Sequence, residues 1–205
     1  MKKRTRLMAL GLAIVLAFSL GGCSVKEALV DVLVKVLGVD ESGDDESSTD
    51  IYAPAGGSIA LPEGFDTEAT WTTQIADGSL YLGFRGIQNK TTGYFVASGS
   101  SMTFTSYAST ESTSWTEYKA ALWKLSDDDA TTTYVDKSTI YFTTSADESC
   151  YTYTLDGLEA GARYKVVVSF DAGSAYITGA MQVQGVTDTA LEEIEGESSS
   201  GKAQG

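Results

Sequence analysis

The chain has 205 residues, with 28 Asp and Glu against 14 Lys and Arg, two cysteines and no histidine. A formal net charge of −14 argues against nucleic acid as a partner, because binding it takes a cationic surface that displaces counterions. The lack of histidine removes His-dependent triads, His general bases and the usual zinc and iron sites.

Lys2, Lys3, Arg4 and Arg6 lead into an apolar run over residues 7–20, LMALGLAIVLAFSL. This run falls short of the roughly 20 residues with which a helix spans a hydrocarbon core of about 30 Å. A basic start, a short apolar stretch and small residues after it form the pattern of a secretory signal, here residues 1–22. Leu20-Gly21-Gly22-Cys23 resembles the bacterial lipobox, with Gly21 where Ala or Ser is commoner. The resemblance implies cleavage before Cys23, its diacylation, and a chain held to the extracytoplasmic face of the cell membrane. The alternative is a plain signal peptide with an incidental cysteine. Two or more acyl chains, at about 0.8 kcal/mol per buried methylene, anchor stably. Loss of residues 1–22 removes four of the Lys and Arg and no acid, leaving ten against 28, a net charge of −18. Such a chain is not drawn to anionic lipid, so the acyl groups must supply the anchoring. Cys150 is then the only thiol left, and no intramolecular disulfide forms. At the head of an alternating stretch, it reads as a small buried residue.

Over residues 24–39, SVKEALVDVLVKVLGV, the polar residues Glu27, Asp31 and Lys35 recur every fourth position among Val, Leu and Ala. At 3.6 residues per turn this makes a narrow polar stripe on an apolar helix, suited to the membrane interface. A helix packed on the folded domain and a Val-rich strand stay open as alternatives. Residues 40–50 carry six acids and no large apolar side chain, so they read as a solvated spacer. Residues 188–205 read as an acidic, disordered tail with at most a short helix at 189–195.

Residues 51–187 form the folded domain. Period-two alternation predicts strands at 69–75, 79–86, 92–98, 102–107, 117–126, 133–144, 150–155, 163–170 and 175–186. Trp71, Thr73 and Ile75 share one face, as do Leu80, Leu82 and Phe84. Turn chemistry separates the strands at Asp77-Gly78, Ser98-Gly99, Asp127-Asp128-Asp129, Asp156-Gly157 and Asp171-Ala172-Gly173. Within 114–125, helical spacing of Trp115, Tyr118, Leu122 and Leu125 competes with alternation of Lys119, Ala121, Trp123 and Leu125; strand is the reading kept. Nine strands without βα alternation predict an all-β protein, an antiparallel β-sandwich.

Residues 151–171, YTYTLDGLEAGARYKVVVSFD, resemble the E–F corner of fibronectin type III domains. Leu158, Gly161 and Tyr164 hold the corner positions, and Ala160 replaces the common Pro. The same corner occurs in jelly-roll carbohydrate-binding modules, whose length the domain fits better. The resemblance implies that the Tyr164 hydroxyl bonds back into the corner as a structural device.

No phosphate loop, nucleophile elbow or HExxH is present, and Cys150 has no His partner. Paired carboxylates remain the open catalytic route, but Glu63, Asp66, Glu68, Asp77, Glu111, Glu117, Asp136, Asp147 and Glu148 sit mostly at turns, so no enzyme is expected. Binding fits better, since aromatic rings on a sandwich face stack on sugars or anchor proteins. Trp71 and Trp123 lie in register with apolar neighbours and are expected to be buried. Trp115, Tyr81, Tyr107 and Tyr141 are the candidates for an exposed contact set. Asp127, Asp128, Asp129 and Asp136 are candidate ligands for a structural calcium ion, with ordinary turn chemistry as the alternative. No other cofactor is expected. The expected partner is a glycan or a cell-surface protein. The second functional reading is a structural cell-envelope protein with no free ligand.

Overall fold

The computed structural model describes residues 50–192; the signal segment, Cys23, the helix expected over 24–39, nearly all of the acidic spacer and the tail from 193 lie outside the described residues. Within them, two sheets pack face to face. The first holds β1 (Ile51–Tyr52), β4 (Asn89–Thr91), β5 (Phe95–Val96), β7 (Glu117–Leu125), β8 (Thr132–Tyr134), β9 (Ile140–Thr143) and β11 (Arg163–Ser169). Its order is β1-β9-β7-β11-β4, with β8 also on β7 and β5 also on β11. The second runs β10 (Tyr151–Asp156), β6 (Ser101–Thr110), β12 (Ile177–Gln184), β3 (Ser79–Ile87), β2 (Trp71–Ala76). Every strand pairing is antiparallel except that of β1 on β9. The molecule is the antiparallel β-sandwich that the alternation predicts.

The core is the inward half of each alternating strand. Tyr118, Ala120 and Leu122 of β7, Ile140 and Phe142 of β9, and Tyr164, Val166 and Val168 of β11 share one cluster with Leu80, Leu82, Phe84, Met102, Phe104, Met181 and Val183 of the second sheet. A large apolar side chain buried this fully contributes about 1.5–3 kcal/mol. Tyr118 stacks on Phe142 at 5.4 Å and meets Phe84 edge-on at 6.4 Å. Asp77 and Gly78 both have positive φ, 49° and 70°, which closes the two-residue β2–β3 hairpin with the twist that such loops require. At the corner between β10 and β11, the Tyr164 hydroxyl accepts the Glu159 amide at 3.0 Å, and Gly161 takes φ 80°. That bond ties the corner to the start of β11.

Residues 53–70 form a strap across the outer face of the second sheet. At the β10 edge the Gly56 amide donates to Cys150 O at 2.8 Å and the Thr152 amide to Pro54 O at 2.9 Å. Further across, the Phe65 ring lies on Gly83, where a Cβ would stand 2.7 Å from Cε1. The strap ends beside β3, where the Arg85 amide donates to Thr70 O at 3.0 Å.

Several expectations need correction. Residues 133–144 are not one strand: the chain turns at residues 135–138, with Lys137 at φ 56° and the Ser138 amide donating to Val135 O, and this separates β8 from β9. In β7 the outward half is Lys119, Ala121 and Trp123, so Trp123 lies on the outer face instead of in the core. Trp71 does pack against the core. The acidic composition predicts disorder or a short helix from Asp188, but through Glu192 the chain is tied to the sandwich. The Gly78 amide donates to Asp188 Oδ1 at 2.8 Å, and Tyr94 and Glu192 exchange two backbone hydrogen bonds of 2.9 Å.

Candidate functional site

The outer face of the first sheet collects aromatic rings because of strand register. Tyr52 of β1 pairs with Tyr141 of β9, Tyr141 with Lys119 of β7, and Lys119 with Ser169 of β11. Neighbouring strands lie about 4.8 Å apart, so these side chains stand in one row across the sheet. Tyr52 and Tyr141 stack with ring centroids 5.2 Å apart and planes 25° from parallel. Tyr52 is 54% exposed. The Glu117 carboxylate is the main reason its phenol is held above the ordinary value, which sets Glu117 electrostatically against the same ring.

Trp115 joins this row from the β6–β7 loop. Ser112 shapes that loop: its Oγ accepts the Trp115 amide at 2.9 Å and the Ser114 amide at 3.3 Å. The indole is 52% exposed. Trp115 and Tyr141 line a shallow depression of about 320 Å³ together with Glu117, Lys119, Ser169 and Asp171. Lys119 Nζ donates to Asp171 Oδ2 at 2.6 Å, and that bond holds the ammonium above its ordinary value. The depression thus has aromatic walls and a polar rim of two carboxylates, an ammonium and a hydroxyl.

Four residues farther along β7, Trp123 meets Tyr134 edge-on at 5.8 Å. Tyr134 is 39% exposed, and its hydroxyl shares a 3.0 Å hydrogen bond with Thr139. Beside them Lys165 Nζ lies 5.0 Å from the centroid of the buried Tyr94 ring.

Of the four aromatic candidates, Trp115 and Tyr141 come together here. Tyr81 and Tyr107 do not, because both lie on the second sheet. Tyr81 is only 8% exposed, and its hydroxyl accepts from Gln182 Nε2 at 3.1 Å, so the expectation of exposure fails. Tyr107 is half-buried in a second open depression of about 540 Å³ lined by residues 55–59, Glu148 and Cys150. Burial, more than the nearby Glu148, raises the Tyr107 phenol, and burial also raises the half-buried Cys150 thiol. Tyr52, Trp123 and Tyr134 were not among the sequence candidates. For Tyr52 the available signal was the isolated apolar group Ile51-Tyr52-Ala53 at the end of the acidic spacer.

Three of the four calcium candidates differ in their surroundings. Asp128 Oδ1 accepts from Ser126 Oγ at 2.6 Å and from the Ala130 amide at 3.2 Å, which holds its carboxyl below the usual range. Asp129 instead pairs with Arg163, and Asp136 is exposed in the β8–β9 turn. Among the described residues, no three acidic or cysteine side chains converge on one point as metal ligands would.

No protein-family model matches the chain, and comparison with curated proteins finds no match.

Proposed function

We propose that the protein is a lipid-anchored, extracytoplasmic, non-catalytic binding module, and that the outer face of its first sheet takes up glycan. The observation that carries this reading is the half-exposed Trp115 beside the stacked pair Tyr52–Tyr141, rimmed by Glu117, Lys119 and Asp171. A sugar ring has an apolar face and a periphery of hydroxyls. Aromatic walls match the first, and charged hydrogen-bonding groups match the second. An apolar protein surface would instead have to bury these charges, which is costly. The corner resemblance of residues 151–171 to carbohydrate-binding sandwiches accords with the reading, although fold likeness alone carries little about function.

Two experiments test it. A glycan array probed with the full chain in detergent should show selective binding that Trp115→Ala or Tyr141→Ala removes. Uniform silence from a folded chain would turn the proposal toward a structural envelope role. For the anchor, growth of a bacterial host with a palmitate analogue should label the chain, and Cys23→Ala should abolish the label. A label that survives this substitution contradicts the anchoring.

A further inference from the structure

The first-sheet face carries two aromatic platforms, not one, and their spacing bears on the kind of glycan. Tyr141 is paired with Lys119, whereas Tyr134 is paired with Trp123. Four residues of β7 separate the two pairings, about 13 Å at roughly 3.3 Å per residue. Between them, the outward positions on the two central strands are Ala121 of β7 and Val167 of β11, which are register partners. Their small side chains leave a low floor between two raised aromatic walls. Three cations on this face are engaged: Lys119 with Asp171, Arg163 with Asp129 and Glu192, and Lys165 over the Tyr94 ring. Glu117 adds a further negative charge beside Tyr52. A polyanionic ligand would therefore meet carboxylates without a cluster of cations to receive it.

We infer that this face binds a neutral, linear oligosaccharide laid along β7, with one part stacked at Trp115 and Tyr141 and a later part at Trp123 and Tyr134. The inference rests on the glycan reading of the same face and specifies the ligand's form. A single sugar unit reaches one platform only. A chain of several units crosses the Ala121–Val167 floor and reaches both, so its affinity grows with length until the second platform is filled. The second contact is intramolecular once the first is made, so it adds to affinity without a second loss of translational freedom.

The test is calorimetric titration of the full chain with size-graded neutral linear oligosaccharides of glucose, mannose, xylose and galactose, from disaccharide to hexasaccharide. The expected result is a gain of about tenfold in affinity, about 1.4 kcal/mol, between the short and long members of the series that binds. Trp123→Ala should erase that gain, whereas Trp115→Ala should weaken short and long members alike. Tyr134→Ala repeats the test without removing the indole, and Trp123→Phe should restore part of the gain. Equal affinity for short and long members, or a gain that survives both Trp123→Ala and Tyr134→Ala, overturns the two-platform inference and leaves the glycan reading standing. No binding by any series to the folded chain overturns both.

Discussion

The Tyr118 hydroxyl donates to Ser106 Oγ at 2.7 Å, joining β7 of one sheet to β6 of the other through the middle of the core. Ser106 in turn donates to Ala180 O at 2.9 Å, so both hydroxyls are satisfied in an otherwise apolar layer. Burial raises the Tyr118 phenol far above its ordinary value, and it remains a neutral donor at any ordinary pH. The two ends of this bond are not equivalent. Ser106→Ala leaves the buried Tyr118 hydroxyl without a partner, at a cost of about 1–3 kcal/mol. Tyr118→Phe removes the donor and leaves Ser106 bonded to Ala180 O, so the loss is about 1 kcal/mol or less. Urea denaturation of the two variants should rank Ser106→Ala as the more damaging; the reverse order contradicts the assignment of donor and acceptor.

At the β10–β11 corner, Tyr164→Phe deletes the acceptor of the Glu159 amide and keeps the buried ring. The expected loss is about 1 kcal/mol, measured by the shift in denaturant midpoint with unchanged slope. Glycan binding should be unaffected, because Tyr164 faces the core. A variant as stable as the parent would show that the corner hydrogen bond contributes nothing.

Phe65 fixes the strap by lying on Gly83. Gly83→Ala forces the ring away, and Phe65→Ala removes it. Either change should raise amide hydrogen exchange across residues 55–70 and open that segment to protease, while β7 and β9 stay protected. Protection of the strap in both variants would place its anchoring elsewhere.

The Lys119–Asp171 pair has a defined alkaline limb. Its hydrogen bond raises the ammonium above 10.5, so the folded state holds this proton more tightly than the unfolded chain. The pair's stabilisation is therefore complete below the unfolded value and lost as pH rises through the folded one. The melting-temperature difference between the parent and Lys119→Met should be constant at neutral pH and narrow above about pH 10.5. A difference that grows there contradicts the pairing. Its size at neutral pH should be small, since Asp171 is largely exposed.

The strands of this fold are legible in sequence because each buries one face, and alternation such as Leu80-Leu82-Phe84 or Val166-Val168 records it directly. Strand β7 is harder, because apolar residues occupy both halves of its alternation. Tyr118, Ala120 and Leu122 point inward, and Ala121 and Trp123 outward, which leaves the direction of Trp123 to the tertiary pairing. The β8–β9 turn is hidden because Lys137, a residue with no turn signature, takes the left-handed conformation. Tyr81 misleads for another reason: its strand predicts an outward side chain correctly, but that side chain is buried on the outer face, where its hydroxyl meets Gln182 of the neighbouring strand. The binding face follows the same logic. Trp115 and Tyr141 are recognisable singly as candidates, whereas their meeting depends on the pairing of Lys119 with Tyr141, and that of Tyr52 on the parallel strand β1. Register between strands far apart in the chain leaves no mark in a local pattern.

The most direct measurement is chemical-shift mapping of the isotopically labelled full chain during titration with the array-selected glycan. Binding on the first-sheet face predicts saturable shifts at the Trp115 indole and at the amides of Glu117, Lys119 and Tyr141, with the strap over residues 55–70 unmoved. Shifts confined to the strap and the Tyr107 depression, with the Trp115 indole unmoved at saturation, would contradict the first-sheet face as the binding surface.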